Sequence, residues 1–302
     1  MKLRQIEFVV TVAREQSFSR AADICHATQP SLSSAVAQIE EELGAKLFAR
    51  TTRKVALTPF GRHILPHLES VLSARDEVTA AAAAFHNPAR KLLRLGFSPL
   101  VDMRMLTGVT DPFRRLHQGV EVFFKECLLD DLAGRLESGA IDMAILPRDS
   151  VPDGMQQTPF YSDPLYYLPQ SGQRVEPPVA LCLTDLPNDP VIMTAGGCGL
   201  NRSLEVLFEA EGISPPAYPG YALSYQVIQE WTWLGLGAGI LPRAKLLADA
   251  TSAVPLLRAD GAPARFEFVW AWSGTGRPAD HVVAFLDHVR DRSVKPVESK
   301  VG

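Results

Sequence analysis

The sequence predicts an α/β protein whose N-terminal part is all-α and carries a wing. Three observations predict it. Apolar residues recur at helical spacing from Leu3 to Phe85, and from Leu92 the pattern changes to short apolar runs alternating with helices. Basic residues also gather in one stretch: Leu43 to Leu68 holds Lys46, Arg50, Arg53, Lys54 and Arg62 with no acid. The chain has 302 residues, 46% apolar and 21% charged, enough for about two domains with buried cores. Net charge is −4, but residues 1–87 carry ten basic and nine acidic side chains, so the acidic excess lies in the remainder. No apolar run approaches the roughly 18 residues of a spanning helix. Glu7 interrupts any leader-like core at the N-terminus, so a soluble, cytoplasmic protein is expected. Cys25, Cys127, Cys182 and Cys198 stand far apart without a CxxC pair, which argues against a disulfide framework or a structural zinc site.

The first elements follow in order. Leu3, Ile6, Phe8–Val10 and Val12–Ala13 mark one helix. Ser17 caps a second, from Phe18 to Ile24. A third opens at Thr28, with Pro30 in the first turn, where a missing N–H costs nothing. Its apolar stripe is Leu32, Val36 and Ile39; the opposite face carries Gln29, Ser31, Ser33, Ser34 and Gln38. Short hydroxyl and amide side chains on an exposed face suit a helix that enters a major groove. The segment from Lys46 to Pro59 has two strand-like ends about a basic turn, a two-stranded wing with Arg53 and Lys54 at its tip. Such a tip reaches phosphates or a neighbouring minor groove. A solvated helix and a solvated charge cluster are the bland alternatives.

The run from Phe18 to Gly61 contains Ser-Phe-Ser-Arg-Ala-Ala-Asp, Thr-Gln-Pro-Ser-Leu-Ser, Ile-Glu-Glu-Glu-Leu-Gly, Leu-Phe-Ala-Arg and Leu-Thr-Pro-Phe-Gly. In these motifs it resembles the LysR-type transcriptional regulators. The resemblance implies a winged helix-turn-helix over residues 1–58 and a linker helix for dimerisation over 59–87. It also implies a two-lobed, periplasmic-binding-protein-like (type II) effector domain over 88–302. It places Ser17, Thr28, Gln29, Pro30, Ser31, Ser33, Ser34, Gln38, Arg50, Thr51, Arg53 and Lys54 on DNA. Ser34 departs from the pattern, since many members carry a long basic or amide side chain there. Implied partners are promoter or operator DNA, a small-molecule effector, a second copy in a homodimer or homotetramer, and RNA polymerase as a candidate; no cofactor or metal is implied. In the linker, Phe60, Ile64, Leu68, Val71, Val78 and Phe85 recur at helical spacing, and pairing with a second copy would bury that stripe. Pro66 is expected to bend the helix near Arg62.

In the second part, Leu92–Phe97, Val120–Lys125, Ile141–Leu146 and Pro190–Thr194 read as strands, and Asp130–Glu137, Asn201–Glu211 and Tyr225–Leu234 as helices. The alternation implies mostly parallel sheets. Asp163–Leu168 crosses into a second lobe, and Phe266–Trp272 with a helix from Pro278 to Arg290 returns to the first. Lobe I is then about 92–163 and 266–292, lobe II about 164–265.

Three segments should border the cleft: Ser98-Pro99-Leu100, expected to open a helix; Gly196 to Asn201; and the glycine-rich turn from Gly235 to Pro242. Ligands of open α/β sheets sit at strand C-terminal ends against helix N-termini, so two such termini favour an anionic effector. The effector residues expected are Ser98, Pro99, Leu100, Leu146, Pro147, Gly197, Cys198, Gly199, Tyr225 and Gly237. No HxxxH, DxH or Ser/His/Asp constellation accompanies them, and catalysis is not expected. A helix N-terminus lowers a thiol pKa, and the place of Cys198 resembles the reactive cysteine of peroxide-sensing members. Those carry a second cysteine about nine residues on; the helix from Asn201 to Glu211 holds none, so the anion reading ranks first and a redox switch second. Cys25, Cys127 and Cys182 read as core, and Trp231 and Trp233 as packing. A solute-binding protein and an enzyme on the same two-lobed fold are the rivals, opposed by the first 65 residues and by the lack of paired catalytic groups.

Overall fold

The computed structural model describes residues 1–50, 55–86, 91–170, 179–195, 197–248, 250, 252–274 and 278–293. The chain forms two compact units, Met1–Pro88 and Ala89–Gly302.

In the first unit, α1 (Leu3–Glu15), α2 (Phe18–Ile24) and α3 (Gln29–Glu42) surround one apolar core. Their starts are locally encoded: the Ser17 hydroxyl accepts from the Arg20 amide, and Thr28 from that of Ser31. Leu32, Val36 and Ile39 are fully buried, as their i, i+4, i+7 spacing requires. A short ribbon follows, β1 (Phe48–Arg50) antiparallel to β2 (Val55–Leu57). Its root is held by a buried carboxylate. Glu40 accepts from the Leu47 and Phe48 amides at 2.9 and 3.2 Å and pairs with Lys46 at 2.8 Å. The Leu-Thr-Pro-Phe-Gly motif has an equally local cause. Thr58 donates its hydroxyl to the Lys46 carbonyl and accepts from the Gly61 amide, capping α4 (Pro59–His86). A Cβ on Gly61 would strike the Leu47 carbonyl, so no other residue fits there. α4 runs unbroken through Pro66. Its first half packs on the core through Phe60, Ile64 and Leu68; Val71 and Val78 stand exposed.

The second unit is built on an eight-stranded sheet. β3 (Lys91–Phe97) leads through α5 (Met103–Leu116) to β4 (Val120–Glu126), then through α6 (Leu129–Glu137) to β5 (Met143–Pro147). β3 pairs with both strands in parallel. β6 (Met155–Leu168) and β12 (Arg265–Ser273) run antiparallel to each other, so the sheet is mixed where mostly parallel pairing was expected. The reason is connectivity: β6 enters lobe II and β12 returns from it beside β5, reversing direction. In lobe II, β7 (Leu181–Cys182) precedes β8 (Val191–Thr194), which reaches parallel β9 (Ala217–Ala222) through α7 (Leu200–Glu211). α8 (Tyr225–Trp233) leads to β10 (Gly239–Pro242), and β11 (Val254–Leu257) lies between β6 and β7. α9 (Asp280–Ser293) closes lobe I, with Phe285 edge-on to Phe113 and Trp270 at 4.9 and 5.2 Å. Asp142 takes both the backbone and the guanidinium of Arg94, pinning the start of β5 to β3.

Replacing Glu40 by Ala should strand two buried amides at about 1–3 kcal/mol each. The expected result is faster hydrogen exchange at Leu47 and Phe48 than elsewhere in the first unit. Exchange unchanged at both would mean that the ribbon root does not depend on the carboxylate.

Candidate functional site

In the first unit, α3 presents an exposed N-terminal turn. Thr28, Gln29, Pro30, Ser31 and Ser34 are solvent-facing, and Ser33 is half-buried. Gln38 is exposed, but its amide oxygen accepts from Gln5 at 2.7 Å. Ser17 is half-buried at the α2 cap. Of the basic stretch, Lys46 serves Glu40 and Arg62 donates to the Leu57 carbonyl. Arg50 ends β1; its side chain, and Thr51, Arg53 and Lys54, lie outside the described residues.

In the second unit, the loop after β3 does not open a helix at Ser98. Four residues of turn intervene, and Asp102 caps α5 by accepting from the Arg104 amide at 2.9 Å. That N-terminus is thus already served by its own carboxylate, which also pairs with Arg104 at 3.0 Å. Ser98 is fully buried; its amide donates to Ile145, its carbonyl accepts from Val101, and its hydroxyl has no partner among the described residues.

From lobe II, β8 ends at Thr194, and the chain turns into α7 through Gly197 (φ +70°) and Gly199 (φ +93°). Both need glycine: their φ values are left-handed, and Leu128 crowds the first. The Leu129 amide donates to the Gly197 carbonyl, binding the start of α6 to this turn. Cys198 is buried, with its sulfur 3.2 Å from the Thr194 hydroxyl. Thr194 also donates that hydroxyl to Asn201 at 2.9 Å, which leaves its oxygen to accept from the Cys198 thiol. The Tyr225 hydroxyl is buried without a closed hydrogen bond among the described residues. Burial first, then the neighbouring Cys198 sulfur, makes its proton harder to lose.

Lys245 completes the cluster. Its ammonium donates to the Val101 carbonyl at 2.8 Å and lies 5.6 Å from the Tyr225 ring centroid. Burial lowers its pKa, while Asp102, Glu126, Asp163 and Cys198 hold the proton on. Asp163 is buried, accepts from the Ala244 amide at 3.2 Å, and is pushed up to about 6, chiefly by burial. Beside the cluster lies a cavity of about 200 Å³ lined by Leu129, Asp130, Thr194, Gly197, Gly199, Asn201, Arg202 and Glu205. The N-termini of α6 and α7, neither capped by a side chain, border it.

Two family models match this chain: "Bacterial regulatory helix-turn-helix protein, lysR family" over residues 3–62, and "LysR substrate binding domain" over residues 86–293. The chain belongs to the LysR family. It is a DNA-binding transcriptional regulator with an effector-binding domain, and the expectation of a regulator stands. Relatives include the "Probable hydrogen peroxide-inducible genes activator" of Mycobacterium avium, 31% identical over 247 residues, 80% of this chain and 78% of the relative. The "DNA-binding transcriptional dual regulator OxyR" of Escherichia coli (strain K12) is 25% identical over 243 residues, 80% and 79% of the two chains. Among solved structures, a mutant of Corynebacterium glutamicum OxyR aligns with TM-score 0.57 at 24% identity, covering 97% of this chain and 91% of that one. CbnR, a LysR family transcriptional regulator, aligns with TM-score 0.60 at 18% identity, covering 98% and 100%. These likenesses show the fold. Among the described residues no helix is long and apolar enough to cross a membrane.

Measured against this regulator, the expected effector residues separate. Cys198 and Tyr225 come together, and Gly197 and Gly199 shape their turn. Leu100 is core, with Pro99 half-buried beside it. Leu146 packs with Leu129 and Leu132 in a cluster apart from that of Cys198, whereas Pro147 stays at the site, its ring 3.6 Å from where a Cβ on Gly199 would stand. Gly237 lacks a side chain because the Pro190 carbonyl lies 2.5 Å from where a Cβ would stand. Trp231 packs on Tyr218, but Trp233 is 76% exposed rather than packed. Cys25 and Cys127 are buried as expected; Cys182 is only half-buried. Thr194, Lys245, Asp163 and Asp102 were missed. Only Asp102 carried a signal, an Asp before a helical run.

Asp163 supplies a pH test. With its folded pKa raised to about 6, the folded state holds the proton more tightly than the unfolded one. Stability of the second unit should therefore fall as pH rises from about 4 to 6, by about 2–3 kcal/mol, and stay lower above. All four tryptophans lie in this unit, so urea unfolding of the full chain followed by tryptophan fluorescence reads it. Asp163→Asn should remove that part of the pH dependence; an identical profile would refute the assignment.

Proposed function

We propose that this LysR-family regulator couples operator binding to hydrogen peroxide, read at Cys198. The observation that carries the reading is the buried Cys198 sulfur at the turn into α7, 3.2 Å from the Thr194 hydroxyl. Relatives at 31% identity bear the name of hydrogen peroxide-inducible activators. In the reaction the sulfur attacks one peroxide oxygen, an S–O bond forms and the O–O bond breaks. Sulfur is oxidised by two electrons, the departing oxygen is reduced, and the thiol proton leaves with it as water. The product is a sulfenic acid. Nine residues beyond Cys198 stands buried Leu207, and Cys127 packs in a different apolar cluster. These placements support a sulfenic acid, rather than a disulfide to either position, as the oxidised state.

The charge around the site supports a small neutral oxidant over a carboxylate: Asp102, Glu126 and Asp163 act on the Lys245 ammonium, and Asp130 and Glu205 stand with Arg202 in the cavity lining. One observation favours the anion reading: the cavity between the uncapped α6 and α7 N-termini. Operator DNA obtained by in-vitro selection separates the two. Peroxide should change operator binding of the wild type and leave Cys198→Ser unaffected, since serine forms no sulfenic acid. A peroxide response that persists in Cys198→Ser, or a response to simple carboxylates alone, would overturn the peroxide reading.

On DNA, we infer that residues 1–58 bind, 59–87 dimerise and 88–302 sense, with the protein acting in the cytoplasm as a homodimer or homotetramer, in reach of RNA polymerase. Exposed Val71 and Val78 on α4 support pairing with a second copy. The exposed α3 turn supports Gln29 as the base reader and Thr28, Ser31, Ser33 and Ser34 as its neighbours; the wing residues Arg53 and Lys54 are proposed for the phosphates or minor groove. Gln29→Ala should lose about 1–3 kcal/mol of discrimination between operator and random DNA. An equal loss on both DNAs would reduce Gln29 to a positioning contact.

A further inference from the structure

We propose that His63 and His67, one turn apart on α4, chelate a late first-row divalent metal ion that clamps the start of that helix. The proposal concerns the first unit and is independent of Cys198. Spacing is the first observation. Residues i and i+4 of a helix stand on one face, and two imidazoles so placed can share one ion. Both side chains are exposed, while Gly61 and Leu68 to either side are buried. The rings already meet, with centroids 5.9 Å apart and planes at 70°. Two imidazoles on one tetrahedral ion have centroids about 5 Å apart, given metal–nitrogen bonds of about 2 Å. The remaining gap closes by side-chain rotation, which exposure leaves free. Imidazole nitrogen favours Zn²⁺, Ni²⁺ and Cu²⁺ over Mg²⁺, and water completes the shell.

The second observation is what the neighbouring side chains do. Arg62 donates to the Leu57 carbonyl, Glu69 pairs with Arg14 at 3.4 Å, and the Ser70 hydroxyl donates to the Pro66 carbonyl. Every other polar side chain from Arg62 to Ser70 therefore has a partner. Neither imidazole makes a hydrogen bond among the described residues; each ring touches the other instead. The third observation is Pro66, which lies between the two histidines. It has no N–H to give the Arg62 carbonyl, so the helix lacks one rung there. An ion joining His63 to His67 spans that same turn and replaces the missing link. The helix start is also the support of the ribbon. Thr58 caps it, Gly61 abuts the Leu47 carbonyl, and Arg62 holds the end of β2. A clamp on this turn is a clamp on the ribbon root.

The test uses the full chain without a polyhistidine tag, titrated calorimetrically with NiCl₂, ZnCl₂ and MgCl₂. Cys25, Cys127 and Cys198 are buried, and a Cys182→Ser background removes the half-buried thiol as a rival ligand. One Ni²⁺ or Zn²⁺ per chain is expected, and no Mg²⁺. His63→Ala and His67→Ala should each weaken binding by about ten-fold or more, because the second imidazole acts at high effective concentration. The double variant should lose little beyond either single one, since each already leaves a lone imidazole. His117→Ala, in the second unit, should bind as the parent does. Both substituted positions are exposed, and far-UV circular dichroism checks that each variant folds. Parental affinity in either single variant overturns the site, and so does one ion per two chains, which would place the chelate between copies. Hydrogen exchange reads the clamp: Ni²⁺ should slow the His67 and Leu68 amides in the parent and leave them unchanged in His67→Ala. Binding that leaves exchange unaltered in the parent overturns the clamp.

Discussion

One continuous strand sets the geometry of the sensing unit. β6 pairs with β12 from Met155 to Pro164 and then, without interruption, with β10 from Leu165 to Leu168. The strand therefore belongs to both lobes, and where it changes partner it brings Asp163 beside the start of the turn after β10. That turn holds Lys245. The cleft residues come from loops at the ends of β3, β8 and β10, three strands in separate parts of the sequence. Their meeting is a consequence of the shared strand. Each half of β6 keeps its own partner, and the lobe I ladder carries a bulge at Phe160, where the register with β12 shifts between Phe268 and Val269.

Charge inside this frame is arranged for coupling rather than stability. A buried ion pair usually costs about as much desolvation as it returns in attraction. Here the lysine is left half-buried among three carboxylates, and two hydroxyls nearby, those of Ser98 and Tyr225, have no closed hydrogen bond among the described residues. Unsatisfied buried polar atoms are rare because each costs roughly 1–3 kcal/mol.

Legibility in the sequence followed the range of the interaction. The α3 stripe and the Ser17 and Thr28 caps depend on residues within about a turn of each other, and each was readable; the Thr58 cap of α4 is equally local but stood in the sequence only as part of a family motif. Ser98 was misread because a strand followed by Ser-Pro looks like a helix start. The better cap, Asp102, lay four residues on, and its carboxylate wins by accepting the Arg104 amide. The mixed sheet was hidden for another reason: strand direction is fixed by which segment returns to lobe I, and periodicity carries no sign of direction. Lys245 was invisible. It sits in Arg-Ala-Lys after a glycine-rich turn, and nothing local distinguishes it from a solvated lysine; its partner Val101 is 144 residues away.

The two units solve the same problem at different depths. In the first, buried Glu40 takes two backbone amides and a lysine, and all of its oxygens are engaged. A charge held on both oxygens in this way is a joint: it specifies where the ribbon leaves the helices. In the second, Lys245 makes one strong hydrogen bond and keeps two donors among groups whose protonation or oxidation state can alter. The difference lies in the count of satisfied donors, not in burial alone. A regulator needs both kinds of charged anchor, because a DNA-contacting surface must hold its shape while the sensing cleft must have somewhere to move. Saturated hydrogen bonding gives the first property, and incomplete hydrogen bonding around a reactive sulfur gives the second.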